Sequence, residues 1–157
     1  MLNILFVCLG NICRSPLAEA VFDHLVKNQG LEKKFNSDSC GTGGYHIGAD
    51  PDPRSQHIAR VHQVPMDHSA RKFSKEDYQN FDYIIPMDQQ NFKDIVSATG
   101  YEHEGLMLMR KFDPEASGDL DVPDPYYGGD DGFSQVYDML ERSNLKFIEF
   151  LKEKHNL

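Results

Sequence analysis

The first unbroken apolar stretch of the chain, residues 2–7, is rich in aliphatic and β-branched side chains and reads as a buried strand. Behind it, Leu17, Ala18, Val21, Phe22 and Leu25 fall on one helical stripe, with Ser15 as candidate N-cap, Pro16 at the first helical position and Asn28-Gln29-Gly30 as the stop. Residues 35–39 form a weaker strand pattern, and the glycines of 40–48 forbid regular structure. Asp52-Pro53 supplies a cap and first-turn proline for a helix to about His62, and Ser74-Lys75-Glu76-Asp77 resembles another helix start. Residues 83–87 predict a short buried strand with Asp88 as a cap for the segment behind it, and residues 106–109 offer a fourth strand. Residues 111–132 are crowded with Pro, Gly and Asp and predict a long loop, a length usually reserved for function. From 133 to 154 the spacing of Val136, Met139, Leu140, Leu145, Phe147, Ile148 and Leu151 predicts a closing amphipathic helix. Strands alternating with helices imply a doubly wound parallel sheet with its site at the carboxyl ends of the strands.

At 157 residues the chain suits one domain, residues 1–157, with a core large enough to need no disulfides. Hydrophobic residues are 39% and charged residues 26%, the balance of a water-soluble protein, and no apolar run approaches the ~18 residues that a bilayer requires. The apolar start lacks the charged flank and small-residue cleavage site of a signal peptide. Three cysteines suit a reducing cytoplasm. A formal net charge of −9 argues against nucleic acid or a membrane surface as partner, since both need a basic face. Attraction for an anion must therefore be local, which screening within about 8 Å at physiological salt permits.

Local attraction is what Cys8-Leu9-Gly10-Asn11-Ile12-Cys13-Arg14-Ser15 offers, because it lies between the first strand and the first helix. A helix N-terminus carries unpaired N–H donors and the positive end of a dipole, so the loop is built to hold a phosphoryl group without metal. The same donors, with the Arg14 guanidinium, favour thiolate over thiol at Cys8 and make it a nucleophile. Gly10 is free to take positive φ, and Asn11 tolerates the left-handed region. Attack on a phosphate ester of a phenol, whose pKa is about 10, calls for a general acid, and Asp124 in Val122-Pro123-Asp124-Pro125-Tyr126-Tyr127 is the candidate. Asp119, Asp121, Asp130 and Asp131 compete for that role, and a turn residue in a Pro-rich loop is the plainer reading. Tyr45, Tyr126 and Tyr127 could wall a slot for a flat aromatic substrate, or be ordinary surface or core tyrosines. The seven histidines show no ligand spacing, so neither metal nor cofactor is expected. Cys13 has two readings: a redox partner whose disulfide with Cys8 would silence the nucleophile, or a small packing residue.

The chain resembles the low-molecular-weight protein-tyrosine phosphatases along nearly its whole length. The match runs through residues 7–15 with Pro16, Ala18 and Glu19, then Asp38-Ser39, Pro51-Asp52-Pro53-Arg54, Ala70-Arg71, Phe81-Asp82-Tyr83 with Met87-Asp88, and Asp124-Pro125-Tyr126-Tyr127-Gly128. The resemblance implies a three-layer α/β fold, with a four-stranded parallel sheet flanked by helices and the phosphate loop at its carboxyl edge. It implies a monomer or weak dimer acting on phosphotyrosine proteins or small aryl phosphates. Cys8 would form a phosphocysteine, Arg14 and the amides from Leu9 to Ser15 would hold the phosphoryl oxygens, and Asp124 would serve as acid and then base. Asn11 would hold the loop in a left-handed turn through Ser15, Ser39 and His68, and the Ser15 hydroxyl would stabilise the departing thiolate. Tyr45 and Tyr126 would flank the ring, with His46 and Ile47 at the mouth. Cys40 stands where relatives commonly have glycine, which leaves the local turn open.

Three other functions share parts of this pattern. Related protein-arginine phosphatases look similar but carry threonine where this chain has Ile12, so isoleucine favours phosphotyrosine. Thioredoxin-coupled arsenate reductases share the loop but need two further cysteines downstream, and none follows Cys40. A phosphotyrosine-binding module without catalysis would have no need of Cys8, Arg14 and Asp124 together.

Overall fold

A computed structural model describes residues 1–157, apart from the side chain of residue 130. Strand β1 (Leu2–Cys8) leads into helix α1 (Arg14–Asn28), β2 (Phe35–Gly41) and α2 (Pro53–Val61). The short α3 (Asp77–Asn80), β3 (Tyr83–Pro86), α4 (Gln89–Thr99) and the long α5 (Asp130–His155) complete the order. The strands are parallel in the order β2-β1-β3, so β1 is central and its carboxyl end, Cys8, opens at the middle of the sheet edge.

Alternation along β1 divides the core in two. Ile4, Phe6 and Cys8 face one layer, where they meet Leu17, Val21 and Phe22 of α1 and Leu140, Phe147 and Ile148 of α5. Leu5 and Val7 face the other, against Ile84, Phe73, Tyr78 and Ile95. A period of two sends successive side chains to opposite faces, so an apolar run buried on both sides is what a central parallel strand requires. Truncating one of these buried phenylalanines to alanine costs about 3–5 kcal/mol in comparable cores.

The fourth strand expected at 106–109 is not formed, and the sheet has three. Leu106 makes a single bridge to Ile84, flanked by Ile84 N–H to the Gly105 carbonyl at 2.9 Å and Met107 N–H to the Ile84 carbonyl at 3.0 Å. The next rung of that ladder needs an N–H from residue 86, which is proline and has none. The chain instead turns into a 3-10 helix over Met109–Phe112.

Two helix starts also differ from expectation. Helix α1 begins at Arg14 with Cys13 as its N-cap residue and no side-chain cap, because the Ser15 hydroxyl is engaged with Cys8 and Asn11 instead. Helix α5 begins at Asp130, three residues before the expected start, and shortens the long loop. The expected cap at Asp52 does form, its carboxylate accepting from Arg54 N–H at 2.8 Å. No helix of the described residues is long and apolar enough to cross a membrane.

Candidate active site

The link from β1 to α1 places the Cys8 sulfur at the base of a loop. The Asn11 backbone N–H points at Cys8 Sγ from 3.3 Å, and Ser15 Oγ lies 3.0 Å from it. The turn depends on Asn11, a non-glycine residue at φ 58°, in the left-handed region that asparagine enters most cheaply among L residues. Its buried amide is fully employed: Nδ2 donates to Ser15 Oγ at 2.8 Å and to Ser39 Oγ at 3.0 Å. Its Oδ1 accepts from the Arg71 backbone N–H at 3.0 Å and faces His68 Nε2 at 2.7 Å. Ser39, on the carboxyl half of β2, in turn donates to Glu19 Oε1 at 2.7 Å. Gly41 allows this close approach, since a Cβ there would sit 2.6 Å from the Leu9 carbonyl oxygen.

Cys40, where the sequence left the local turn open, lies within β2 and is fully buried. Glu19, Asp38 and His68 gather behind the loop, the one grouping of three such groups close enough to share an ion among the described residues. Its atoms already serve the loop: Ser39 donates to Glu19, Arg71 Nε donates to Asp38 Oδ2 at 2.8 Å, and His68 contacts Asn11. Burial pushes the Glu19 carboxyl up to about 7 and holds His68 below its ordinary value.

Arg14, only 2% exposed, is locked from three sides. Its Nη1 donates to Asp88 Oδ2 at 2.6 Å and to the Val122 carbonyl at 3.0 Å, while Nη2 lies 3.6 Å from Asp124 Oδ2. Asp88 thereby does two jobs, because its other oxygen caps α4 at the Asn91 N–H. The sequence showed only the cap; the contact with Arg14 spans 74 positions and has no local signal. The buried guanidinium stays charged: desolvation opposes it, and Cys8 and Asp88 more than compensate.

A cavity of about 450 Å³ opens above the sulfur, lined by Cys8 to Gly10, Ile12 to Arg14, Tyr45, His46, Asp124, Tyr126 and Tyr127. The expected residues Cys8, Arg14 and Asp124 therefore meet, and the two tyrosines stand at the mouth with His46. Asn11, Ser15, Ser39 and His68 lie behind the loop, and Ile47 points to solvent outside the lining. Of the competing carboxylates, Asp121 accepts from Gln89 N–H and Asp119 from Asp121 N–H, and Asp131 lines a separate hollow beside α2. The side chain of Asp130 lies outside the described residues. Cys13 lines the cavity at 5% exposure, and burial, reinforced by Asp52, holds its thiol protonated well above the ordinary range.

A buried sulfur at the base of a strand-to-helix loop, faced by a guanidinium and a carboxylate, is the arrangement that a cysteine-based phosphoryl-transfer enzyme requires. A sequence profile described as low molecular weight phosphotyrosine protein phosphatase matches residues 3–157. A Schizosaccharomyces pombe protein of that name is 44% identical over 151 residues, covering 94% of this chain and 96% of its own length. A crystal structure of a protein tyrosine phosphatase from Entamoeba histolytica superposes with a TM-score of 0.94 at 37% identity, covering 99% of both chains. A Drosophila arginine phosphatase superposes with a TM-score of 0.87 at 32% identity, covering 95% of this chain and 97% of that one. The chain belongs to the low molecular weight phosphotyrosine protein phosphatase family, a family of phosphoric monoester hydrolases.

Proposed function

We propose that the chain hydrolyses phosphotyrosine on proteins, and small aryl phosphates, through a phosphocysteine on Cys8. The observation that carries this reading is the cavity, with the Cys8 sulfur at its floor, Arg14 and Asp124 on its wall and tyrosines at its mouth. The Cys8 thiolate attacks phosphorus while the aryl P–O bond breaks, and protonated Asp124 gives its proton to the departing phenolic oxygen. Arg14 and the loop amides hold the equatorial oxygens, whose interaction strengthens as charge spreads onto them in the transition state. Asp124, now ionised, takes a proton from the water that attacks phosphorus. The P–S bond then breaks, releasing inorganic phosphate and returning the thiolate, which the Ser15 hydroxyl stabilises.

Cys8 is 2% exposed, so a substrate must reach down between the rim residues. The long, flat side chain of phosphotyrosine suits a recessed sulfur and can pack its ring against Tyr45 and Tyr126, which the short phosphoserine side chain cannot do. Ile12 in the lining adds apolar surface beside the ring. The likeness to an arginine phosphatase makes phosphoarginine the second reading, and Ile12 counts against it.

Turnover on phosphotyrosine, phosphoarginine and phosphoserine peptides, measured side by side with a chelator present, tests the proposal. The expected order puts phosphotyrosine first by at least about tenfold, a margin of about 1.4 kcal/mol in the transition state. Preference for phosphoarginine, or a requirement for added metal, would overturn it.

A further inference from the structure

The Pro51-Asp52-Pro53-Arg54 segment carries part of the family resemblance yet has no part in the chemistry above. Its geometry joins the two halves of the site. The Asp52 backbone N–H donates to the Ile12 carbonyl of the phosphate loop at 2.8 Å. The Asp52 carboxylate accepts from Arg54 Nε at 3.1 Å and from Nη2 at 3.0 Å. From the other edge of the guanidinium, Nη2 donates to the Tyr126 carbonyl at 3.0 Å and Nη1 to the Gly128 carbonyl at 3.4 Å. The guanidinium also lies 4.6 Å from the centre of the buried Phe133 ring, at the start of α5, and 5.6 Å from that of Tyr126.

Tyr126 is the point at which this chain of contacts reaches the carboxylate. Its N–H donates to Asp124 Oδ1 at 3.0 Å, leaving Oδ2 turned toward Arg14. The same residue is therefore gripped by Arg54 at its carbonyl and grips Asp124 at its N–H. Among the described residues, the hydrogen bonds that tie 124–128 to other parts of the molecule all come from Arg54. The carboxylate of this pair is buried and the Arg54 side chain is 36% exposed, so the fork is anchored at Asp52 while its outer edge reaches the two carbonyls. A planar fork with five donors can serve a carboxylate and two carbonyls together, which a lysine cannot.

We propose that Arg54 is a positioning residue for Asp124, a strap that fixes the acid-bearing loop relative to the phosphate loop. The proposal rests on the phosphatase reading and on Asp124 as its acid. Small misplacements of a reacting group cost up to about 10²-fold in rate, so the strap is expected to matter where proton transfer matters.

The test is kcat/KM for a series of aryl phosphates running from poor to good leaving groups. Measurements are made on the full chain and on R54M, R54K, D124N and the R54M/D124N double variant. R54M is expected to lose about 10- to 100-fold on phosphotyrosine, with the loss shrinking steadily as the phenol becomes more acidic. R54K is expected to fall between R54M and the parent. Inhibition by inorganic phosphate should be unchanged in R54M, since the phosphate loop keeps its own contacts. In the D124N background R54M should have no further effect, because the group it positions can no longer donate a proton.

An equal loss on every leaving group, a loss of phosphate affinity to match, or an undiminished R54M effect in the D124N background would overturn the proposal. If R54M fails to fold, R54K carries the same leaving-group comparison. A D124N variant indifferent to the leaving group would fault the acid assignment beneath it. A leaving-group-dependent D124N beside an indifferent R54M would fault Arg54 alone.

Discussion

The loop that carries Cys8 and the loop that carries Asp124 face each other across one cavity and are built in opposite ways. In the first, Asn11, Arg14, Ser15 and Ser39 are all buried, and Asn11 alone takes part in four side-chain hydrogen bonds besides giving its own N–H to sulfur. In the second, Asp124 is 39% exposed at its side chain, Tyr127 is 92% exposed, and among the described residues the hydrogen bonds from outside come from Arg54, beside the ion pair of Asp124 with Arg14. Under the proposed mechanism the difference follows from their tasks. A cradle for phosphate works by being preorganised, so that nothing need reorient as charge develops. A group that gives a proton and then takes one must reach both the leaving oxygen and water, and burial would freeze it in one state.

Removing the proposed nucleophile should break the comparison most severely. In Cys8→Ser, turnover is expected to fall by on the order of 10⁴ or more, while calorimetric titration still detects inorganic phosphate, because the amides and Arg14 remain. Retained turnover would take Cys8 out of the mechanism. Asp124→Asn should act on the exposed side alone: phosphotyrosine turnover drops by about 10²–10³, and esters of strongly acidic phenols drop far less. An unchanged phosphotyrosine rate would move the acid to a neighbouring aspartate.

The smallest effect sharpens the comparison from behind the phosphate loop. Burial raises Glu19 from its ordinary 4.5 to about 7, so between those values the folded protein holds a proton that the unfolded chain has released. That contribution to stability is therefore present below about pH 4.5 and is lost as pH rises toward 7. His68, held below its ordinary 6.5, works in the opposite sense near pH 6 and partly offsets it. Denaturant titrations from pH 5 to 7 should show Glu19→Gln losing less stability over that range than the parent, by about 1–2 kcal/mol. Parallel pH dependences would show that the Glu19 proton is not linked to folding.

Legibility in the sequence followed the same division. The phosphate loop was readable because it is short and local: strand, thiol, glycine, asparagine, arginine and helix follow in sixteen residues. Asp124 could be picked out through its prolines and tyrosines, but its meeting with Arg14 spans 110 positions and no local pattern reports it. Asp88 illustrates the limit, since one carboxylate oxygen obeys a readable capping rule and the other answers to a guanidinium from a distant helix. The fourth strand failed for a reason also visible in the sequence, Pro86, but its consequence depends on which neighbour would have needed that N–H.

By itself the sequence determined three strands and most of the helices, and placed a cysteine and an arginine on one strand-to-helix loop, because period, capping and turn chemistry act over a few residues. Tertiary structure alone decided that Asp88 and Val122 lock the arginine, that the Arg71 backbone joins in holding Asn11, and that Arg54 reaches the loop of Asp124. Those contacts arise where separate crossovers return to one sheet edge, and the register that brings them together is set by packing of the whole core.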